Sequence, residues 1–189
     1  VLVAMQRPFK AWGHVDKALK APQPLAEAWV SKGLLDAARV ATLPEAQKAA
    51  AIGEAVKAFQ KALEMEDKVP GARAGLAQVR LLQQDHEAAE KLLREAVDKY
   101  GDVDAALLLA DLLHGSKRSV EVAPMLRKLD RLDDERLVQG LARALVTTGD
   151  AAGALKVTDD AVKRDPNNST HQLLRADLLR QAGRIDEAV

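Results

Sequence analysis

Cysteine is absent from the whole sequence, which removes disulfide cross-links, thiolate zinc sites and a cysteine nucleophile, whichever compartment the chain occupies. Aromatic residues make up only 3% and runs of β-branched residues are missing, so nothing in the pattern suggests a sheet. Net charge is missing too: 28 basic residues balance 28 acidic ones, leaving no field to draw in a polyanion or an anionic membrane surface. No apolar run approaches the roughly 20 residues that cross a bilayer, and the opening VLVAM is shorter than the hydrophobic part of a secretory signal. The expectations are therefore no nucleic-acid partner, no direct membrane insertion, and a soluble region with cytoplasm and periplasm both left open. There is no initiator methionine, and the sequence stops at Asp186-Glu187-Ala188-Val189, within what reads below as a helix just begun. The expectation is a piece of a longer protein.

What is abundant is alanine, leucine, lysine, glutamate and arginine, all strong helix formers, which predicts an all-α chain. An apolar stripe with the spacing i, i+4, i+7 recurs as Ala55, Phe59, Ala62; Ala89, Leu93, Ala96; Val122, Leu126, Leu129; and Ala154, Thr158, Ala161, each marking one packed helix face. The last members of successive sets lie 34, 33 and 32 residues apart, which is a repeat. The turn before the stripe repeats as well, with Gly149-Asp150 followed by Gly183-Arg184 and Ala154 by Ala188.

Between successive stripes there is room for one further helix of about 12–14 residues and two short turns, the dimensions of a helical hairpin. That helix is marked by large-beside-small pairs, Leu76-Ala77, Leu109-Ala110 and Leu141-Ala142, with Ala176 in the last unit. A small residue beside a large one lets paired helices approach closely. Breaks between hairpins are expected at Asp67-Lys68-Val69-Pro70-Gly71, Tyr100-Gly101-Asp102, Leu132-Asp133-Asp134 and Asp165-Pro166-Asn167-Asn168. Breaks within hairpins are expected at Gln84-Asp85, His114-Gly115-Ser116 and Gly149-Asp150.

No catalytic, cofactor or metal constellation emerges. The histidines His14, His86, His114 and His171 are scattered without zinc-ligand spacing, and His86 and His114 fall at turns, where capping or packing is expected. Ser31, Ser116, Ser119 and Ser169 lack a nucleophile elbow. The glycines follow no strand and no Gly-Lys-Ser/Thr step, so they do not form a phosphate loop. Asp133-Asp134 and Asp159-Asp160 read as helix-start or outer-face carboxylates. The most basic stretch, Lys117-Arg118, Arg127-Lys128 and Arg131, is interrupted by Glu121, Asp130, Asp133 and Asp134, a poor nucleic-acid footprint. The chain is read as non-enzymatic, with no cofactor and no metal.

Ala28-Trp29 with Gly33, Ala55 through Phe59 to Ala62, and Thr148-Gly149-Asp150 running through Ala154 to Asp165-Pro166 resemble the tetratricopeptide repeat family, whose period is 34 residues. The resemblance implies an α-solenoid of tandem antiparallel helix-turn-helix units forming a right-handed superhelix. It divides the chain into a partial repeat or capping helix (1–25), a repeat with an insertion near 41–50 (26–67), three further repeats (68–101, 102–133, 134–168) and a truncated one (169–189). Trp29 and Phe59 match packing positions of the family, so core is preferred to an aromatic binding cluster that would also include Trp12. Lys32, Asp36 and Arg175 stand where the family buries apolar groups, so the first and last hairpins are expected to pack differently. Residues 9–24, with Ala11, Val15 and Ala18, are either the second helix of an earlier repeat or a capping helix. Thr42 and Glu45 read as a capping box with Pro44 in the first turn, extending the second helix of the first repeat into the insertion.

The resemblance further implies a concave groove lined by the first helix of each pair, with Val30 and Leu34, Ala74 and Gln78, Leu107 and Asp111, Gln139 and Arg143, and Leu173 and Asp177 as partner-binding residues. Ala37, Leu81, His114, Val146 and Arg180 complete it. Its first half is apolar and its second half polar. Val30, Ala74 and Leu107 replace the ladder of lysine, asparagine and arginine by which some family members clamp the acidic C-termini of chaperones, so the expected ligand is an amphipathic or apolar protein segment. Asp111, Arg143 and Asp177 either read charges on that ligand or bridge adjacent repeats. The expected function is an interaction scaffold within a larger protein, placed in bacteria on its alanine-rich, cysteine-free style. Two alternatives stand beside it: repeats that regulate or position a catalytic domain outside the segment, and a module that self-assembles through incomplete terminal repeats.

Overall fold

The helix-forming composition is carried into helix almost throughout the computed structural model, which describes residues 8–187. The elements are α1 (Pro8–Leu19), α2 (Ala26–Arg39), α3 (Glu45–Met65), α4 (Ala72–Leu82), α5 (His86–Tyr100), α6 (Val103–Gly115), α7 (Val122–Arg127), α8 (Glu135–Thr147), α9 (Ala151–Arg164) and α10 (Ser169–Gln181). Short 3-10 turns lie at Val40–Thr42, Ser119–Glu121 and Ile185–Glu187, and no strand occurs among the described residues. None of the described helices is long and apolar enough to cross a membrane. The chain divides into two compact units, one ending at Ala105 and the other beginning at Ala106.

In the first unit α1 packs on α2, α2 on α3, α3 on α4 and α4 on α5, with a further contact between α2 and α4. The stripe Ala55, Phe59, Ala62 on α3 is fully buried, in one cluster with Val30, Val69, Ala72, Leu76 and Val79. Complete burial of a side chain such as Phe59 stabilises by roughly 1.5–3 kcal/mol. The ring is held between two glycines: a Cβ on Gly33 of α2 would lie 2.7 Å from its edge, and one on Gly75 of α4 closer still. Trp29 packs against the same cluster from its edge, as the core reading of Trp29 and Phe59 expects. Trp12 stands apart from them, with the Arg39 guanidinium 5.6 Å from its ring centroid.

The unusual polar residues of the first hairpin neutralise one another. Asp36 is buried, and its carboxylate accepts from Lys32 at 2.7 Å and pairs with Arg39 at 3.0 Å. A second polar staple joins the end of α3 to the end of α5. Tyr100 donates its hydroxyl to Asp67 Oδ2 at 2.7 Å, Arg73 donates to Asp67 Oδ1 at 2.6 Å, and the guanidinium stacks 4.2 Å from the Tyr100 ring centroid. The Tyr100 hydrogen bond, then Arg73, hold the Asp67 carboxyl below its ordinary value, and the same bond pushes the Tyr100 phenol up.

In the second unit α7 packs on α8, α8 on α9 and α9 on α10. Leu109, Leu113, Leu126, Leu137, Val138 and Leu179 fill its core. Thr158, buried within α9, satisfies its hydroxyl on the Ala154 and Leu155 carbonyls. His171 of α10 is 1% exposed, and neither ring nitrogen has a hydrogen-bond partner in the protein. Arg175 donates to Asp159 of α9 and to the Glu187 carbonyl, so this departure too is absorbed by polar contacts.

The turns after α4, α6, α8 and α10 show the repeat at atomic level. Gln84, Lys117, Gly149 and Gly183 all take positive φ, from 60° to 84°. The next amide reaches back to the carbonyl five residues before it: Asp85 to Arg80, Arg118 to Leu113, Asp150 to Leu145 and Arg184 to Leu179, at 2.8–2.9 Å. This closes the last carbonyls of α4, α6, α8 and α10 in a Schellman motif, whereas α2 runs into the 3-10 turn at Val40–Thr42 without a left-handed residue. Asp85 and Asp150 then cap the second helix of their hairpins, and Asn168, between hairpins, caps α10, each by accepting an amide three residues on.

Three local expectations are corrected. The turn of the third hairpin is made by Lys117 and not by Gly115, which ends α6, because chain reversal needs one left-handed residue at a fixed distance from the preceding helix, whatever its type. Leu129 lies beyond α7, half-buried in a turn. The helix is short because the ring of Pro124 opposes the carbonyl four residues back, inside the 3-10 turn, and Asp130 turns left-handed at φ 46°. Thr42 and Glu45 form no capping box: Pro44 is the N-cap of α3, without a side-chain cap, and Thr42 donates to the Arg39 carbonyl. Proline forces the preceding Leu43 into extended backbone, which carries Thr42 away from the helix start. Even so, α3 reaches 21 residues. Ala188, the last stripe residue expected from the repeat, lies outside the described residues.

Candidate functional site

Of the ten residues expected to meet a partner, Leu107, Asp111, Gln139 and Arg143 converge on one cleft of about 290 Å3 in the second unit, which Ala110, His114, Arg136 and Gly140 complete. The spacing explains the convergence. Residues four apart on a helix lie one above the other on the same face, so Leu107 and Asp111 form one wall from α6, and Gln139 and Arg143 the other from α8. Gly140 sets how near the walls come, since the Leu107 Cδ2 lies 3.0 Å from where its Cβ would stand.

The floor is apolar, Leu107 and Ala110, and the rim is charged. Arg143 and Asp111 stand 4.0 Å apart across it, with side chains 71% and 69% exposed. A pair this open to water contributes at most about 1 kcal/mol, so a ligand can separate it at small cost. Arg136 is held differently. It grips Asp134 through two nitrogens at 3.2 and 3.0 Å, and Asp134 also accepts the Arg136 amide as N-cap of α8. The side-chain bond to Arg136 keeps the Asp134 carboxyl below its ordinary value. His114 shares a 2.8 Å hydrogen bond through Nδ1 with Ser119 Oγ, which ties the end of α6 to the chain that follows it. The cleft thus offers a leucine and an alanine for an apolar side chain, the Gln139 amide for a backbone group, and one loosely paired charge of each sign.

The other six expected residues lie elsewhere. Val30 and Ala74 are 7% and 9% exposed and present almost no surface. Gln78 is exposed on α4. Leu34 is 38% exposed and lines a separate cleft between α1 and α2. Leu173 is 67% exposed on α10, where Asp177 pairs with Arg180 at 2.8 Å. Gly140 and Arg136 were not singled out as partner-facing from sequence. A glycine in the middle of a strong helix pattern signals close approach of another element, and that signal was available for Gly140.

Within the basic stretch, Arg118 pairs with Glu121 at 2.6 Å and Arg131 with Asp133 at 3.2 Å. Among the described residues no group of three or more histidines and carboxylates is placed to hold a metal ion.

Two family models, both described as tetratricopeptide repeat, match residues 46–112 and 140–189, together more than half of the chain. No curated protein matches. Among solved structures, PilF of Pseudomonas aeruginosa is 19% identical with a TM-score of 0.59, covering 93% of this chain and 73% of its own. A chain of the APC/C hetero-tetramer Cut9-Hcn1 is 15% identical with a TM-score of 0.59, covering 96% of this chain and 35% of that one. MamA is 13% identical with a TM-score of 0.52, over 75% of this chain and 85% of its own. At these identities the likeness concerns the fold alone.

Proposed function

The chain belongs to the tetratricopeptide repeat family, and from that premise we propose that it is a protein-interaction scaffold that holds a segment of another protein in the cleft between α6 and α8. The observation that carries this reading is the pairing of an apolar floor at Leu107 with an exposed Arg143–Asp111 rim in one concavity. Such a surface suits an amphipathic segment that buries one apolar side chain and satisfies a charge beside it. It suits a bare terminal carboxylate poorly, because Leu107 stands where a clamp would carry a polar side chain. The balanced charge of the chain likewise favours a protein over a nucleic acid. One of the chains similar to this one is part of the hetero-tetramer Cut9-Hcn1. The reading assigns the chain no catalytic step.

The test is to select peptides from a displayed random library on the wild-type chain and measure their affinity by fluorescence polarisation. Leu107→Glu and Arg143→Glu are expected to abolish binding, while Gln78→Ala, on an exposed face of another helix, leaves it unchanged. Circular dichroism checks that helix content and unfolding midpoint are kept. Peptides that bind both charge variants as well as wild type refute the assignment of this cleft.

A further inference from the structure

Several exposed charges of this chain are answered within their own helix, Lys99 by Glu95 at 3.0 Å and Arg180 by Asp177 at 2.8 Å. Asp111 and Arg143 differ. No carboxylate, lysine or arginine stands three or four residues from either of them, the spacings at which residues of one helix are neighbours. Each meets the other across the α6/α8 cleft at 4.0 Å, beyond hydrogen-bond length. The pair attracts without a direct hydrogen bond, so the guanidinium and the carboxylate both keep their hydrogen-bonding capacity for a ligand. The other ionisable groups of the cleft are engaged more closely: Arg136 with Asp134 through two nitrogens, and His114 through Nδ1 with Ser119 Oγ.

The rim is thus a dipole held in place by two helices. Leu107 lies over Gly140, and about one turn further along both helices Asp111 faces Arg143. Helices α6 and α8 therefore run in the same direction beside the cleft, with the negative end of the dipole on α6 and the positive end on α8. A ligand with a single charge gains little from such a rim. A carboxylate drawn to Arg143 meets Asp111 at a similar distance, and the attraction and the repulsion largely cancel. A ligand with one charge of each sign is attracted twice in one orientation and repelled twice in the other. Complementary charges fix the register of an interface in this way and suppress the wrong arrangement.

We propose that the protein segment held in the α6/α8 cleft carries both an acidic and a basic side chain beside its apolar one, the basic group over Asp111 and the acidic group over Arg143, so that the rim sets the direction in which the segment lies. The inference rests on the assignment of that cleft as the partner site, and adds to it the charge pattern and the polarity of the partner.

A peptide selected on wild type from the displayed library is compared, by fluorescence polarisation, with the same peptide after its acidic and basic residues are exchanged. The exchanged peptide is expected to bind wild type about tenfold more weakly, since it loses two exposed pairs and meets two like charges. In the doubly reversed variant, Asp111→Arg with Arg143→Glu, the preference is expected to invert. In the neutral variant, Asp111→Asn with Arg143→Gln, the two peptides are expected to bind alike. Circular dichroism verifies folding, and the neutral variant decides alone if the reversed one loses helix. Selected peptides that lack either charge, equal binding of both peptides to wild type, or a preference that survives reversal or neutralisation overturns the proposal. If such peptides still lose affinity for Leu107→Glu, the cleft stands as the partner site and the charge pattern alone falls. Peptides indifferent to Leu107→Glu remove the cleft, and the pattern with it.

Discussion

The Phe59 ring makes a quantitative prediction about two glycines. In an unconstrained helix interior, Gly→Ala stabilises by roughly 0.5–1 kcal/mol because alanine loses less backbone entropy on folding. Gly53 of α3 is such a site, with nothing within 4 Å of a Cβ placed there. Gly33 is the opposite: its Cβ would lie 2.7 Å from the ring of Phe59, where carbon atoms attract best at about 3.5–4.0 Å. The overlap near 1 Å cannot be relieved by turning the ring, because Phe59 and its neighbours Ala55 and Ala62 are all 0% exposed. At Gly75 the approach is closer. Relief there requires α4 to move off α3, and overpacking of this kind costs about 1–3 kcal/mol. Gly75→Ala is therefore expected to destabilise and Gly53→Ala to stabilise, although both replace a helical glycine by the same residue. Urea unfolding followed by circular dichroism gives both values. The cost of Gly75→Ala should shrink in a Phe59→Leu background, where the ring is gone. A Gly75→Ala chain as stable as wild type, or an equal cost in both backgrounds, refutes the packing argument.

The repeated hairpin turn predicts that Gln84→Gly and Lys117→Gly each stabilise by about 0.5–1 kcal/mol, since both residues are held at φ near 60°, where a Cβ is strained; a lowered unfolding midpoint would contradict this. His171 leaves two buried ring nitrogens without partners, a desolvation cost of about 1–3 kcal/mol, so His171→Leu is expected to raise the unfolding midpoint, and a clear fall would mean that the imidazole is satisfied. The staple of Asp67, Tyr100 and Arg73 predicts a pH dependence. Because the folded Asp67 carboxyl is held below its ordinary 3.8, its contribution is present above that value and is lost as pH falls through the folded one. Tyr100→Phe should lower the midpoint at neutral pH by a margin that closes below pH 3.8, and a margin independent of pH would remove the staple from the account.

The architecture was legible because it rests on spacing. Ala55, Phe59 and Ala62 recur as Ala89, Leu93 and Ala96, and a face that must be buried fixes a helix whatever the details of its ends. Details that depend on one dihedral were less legible. Lys117 is an unremarkable residue forced left-handed beside a glycine that is not, and Pro44 displaced the cap that Thr42 and Glu45 promised. The site divided along the same line. The four-residue spacing of Leu107 with Asp111, and of Gln139 with Arg143, places each pair on one face by helix geometry alone. Whether Val30 or Ala74 reaches the surface is decided by neighbouring helices, and these buried both. Gly140 was visible as an oddity, but its meaning appears only when Leu107 lies over it.

Hydrogen exchange of the chain with and without a library-selected peptide tests the central claim most directly. Binding in the cleft between α6 and α8 predicts slowed exchange confined to residues 107–114 and 136–143, lost in Arg143→Glu. Protection centred on α4 or on the α1/α2 cleft, with α6 and α8 unchanged, would contradict it.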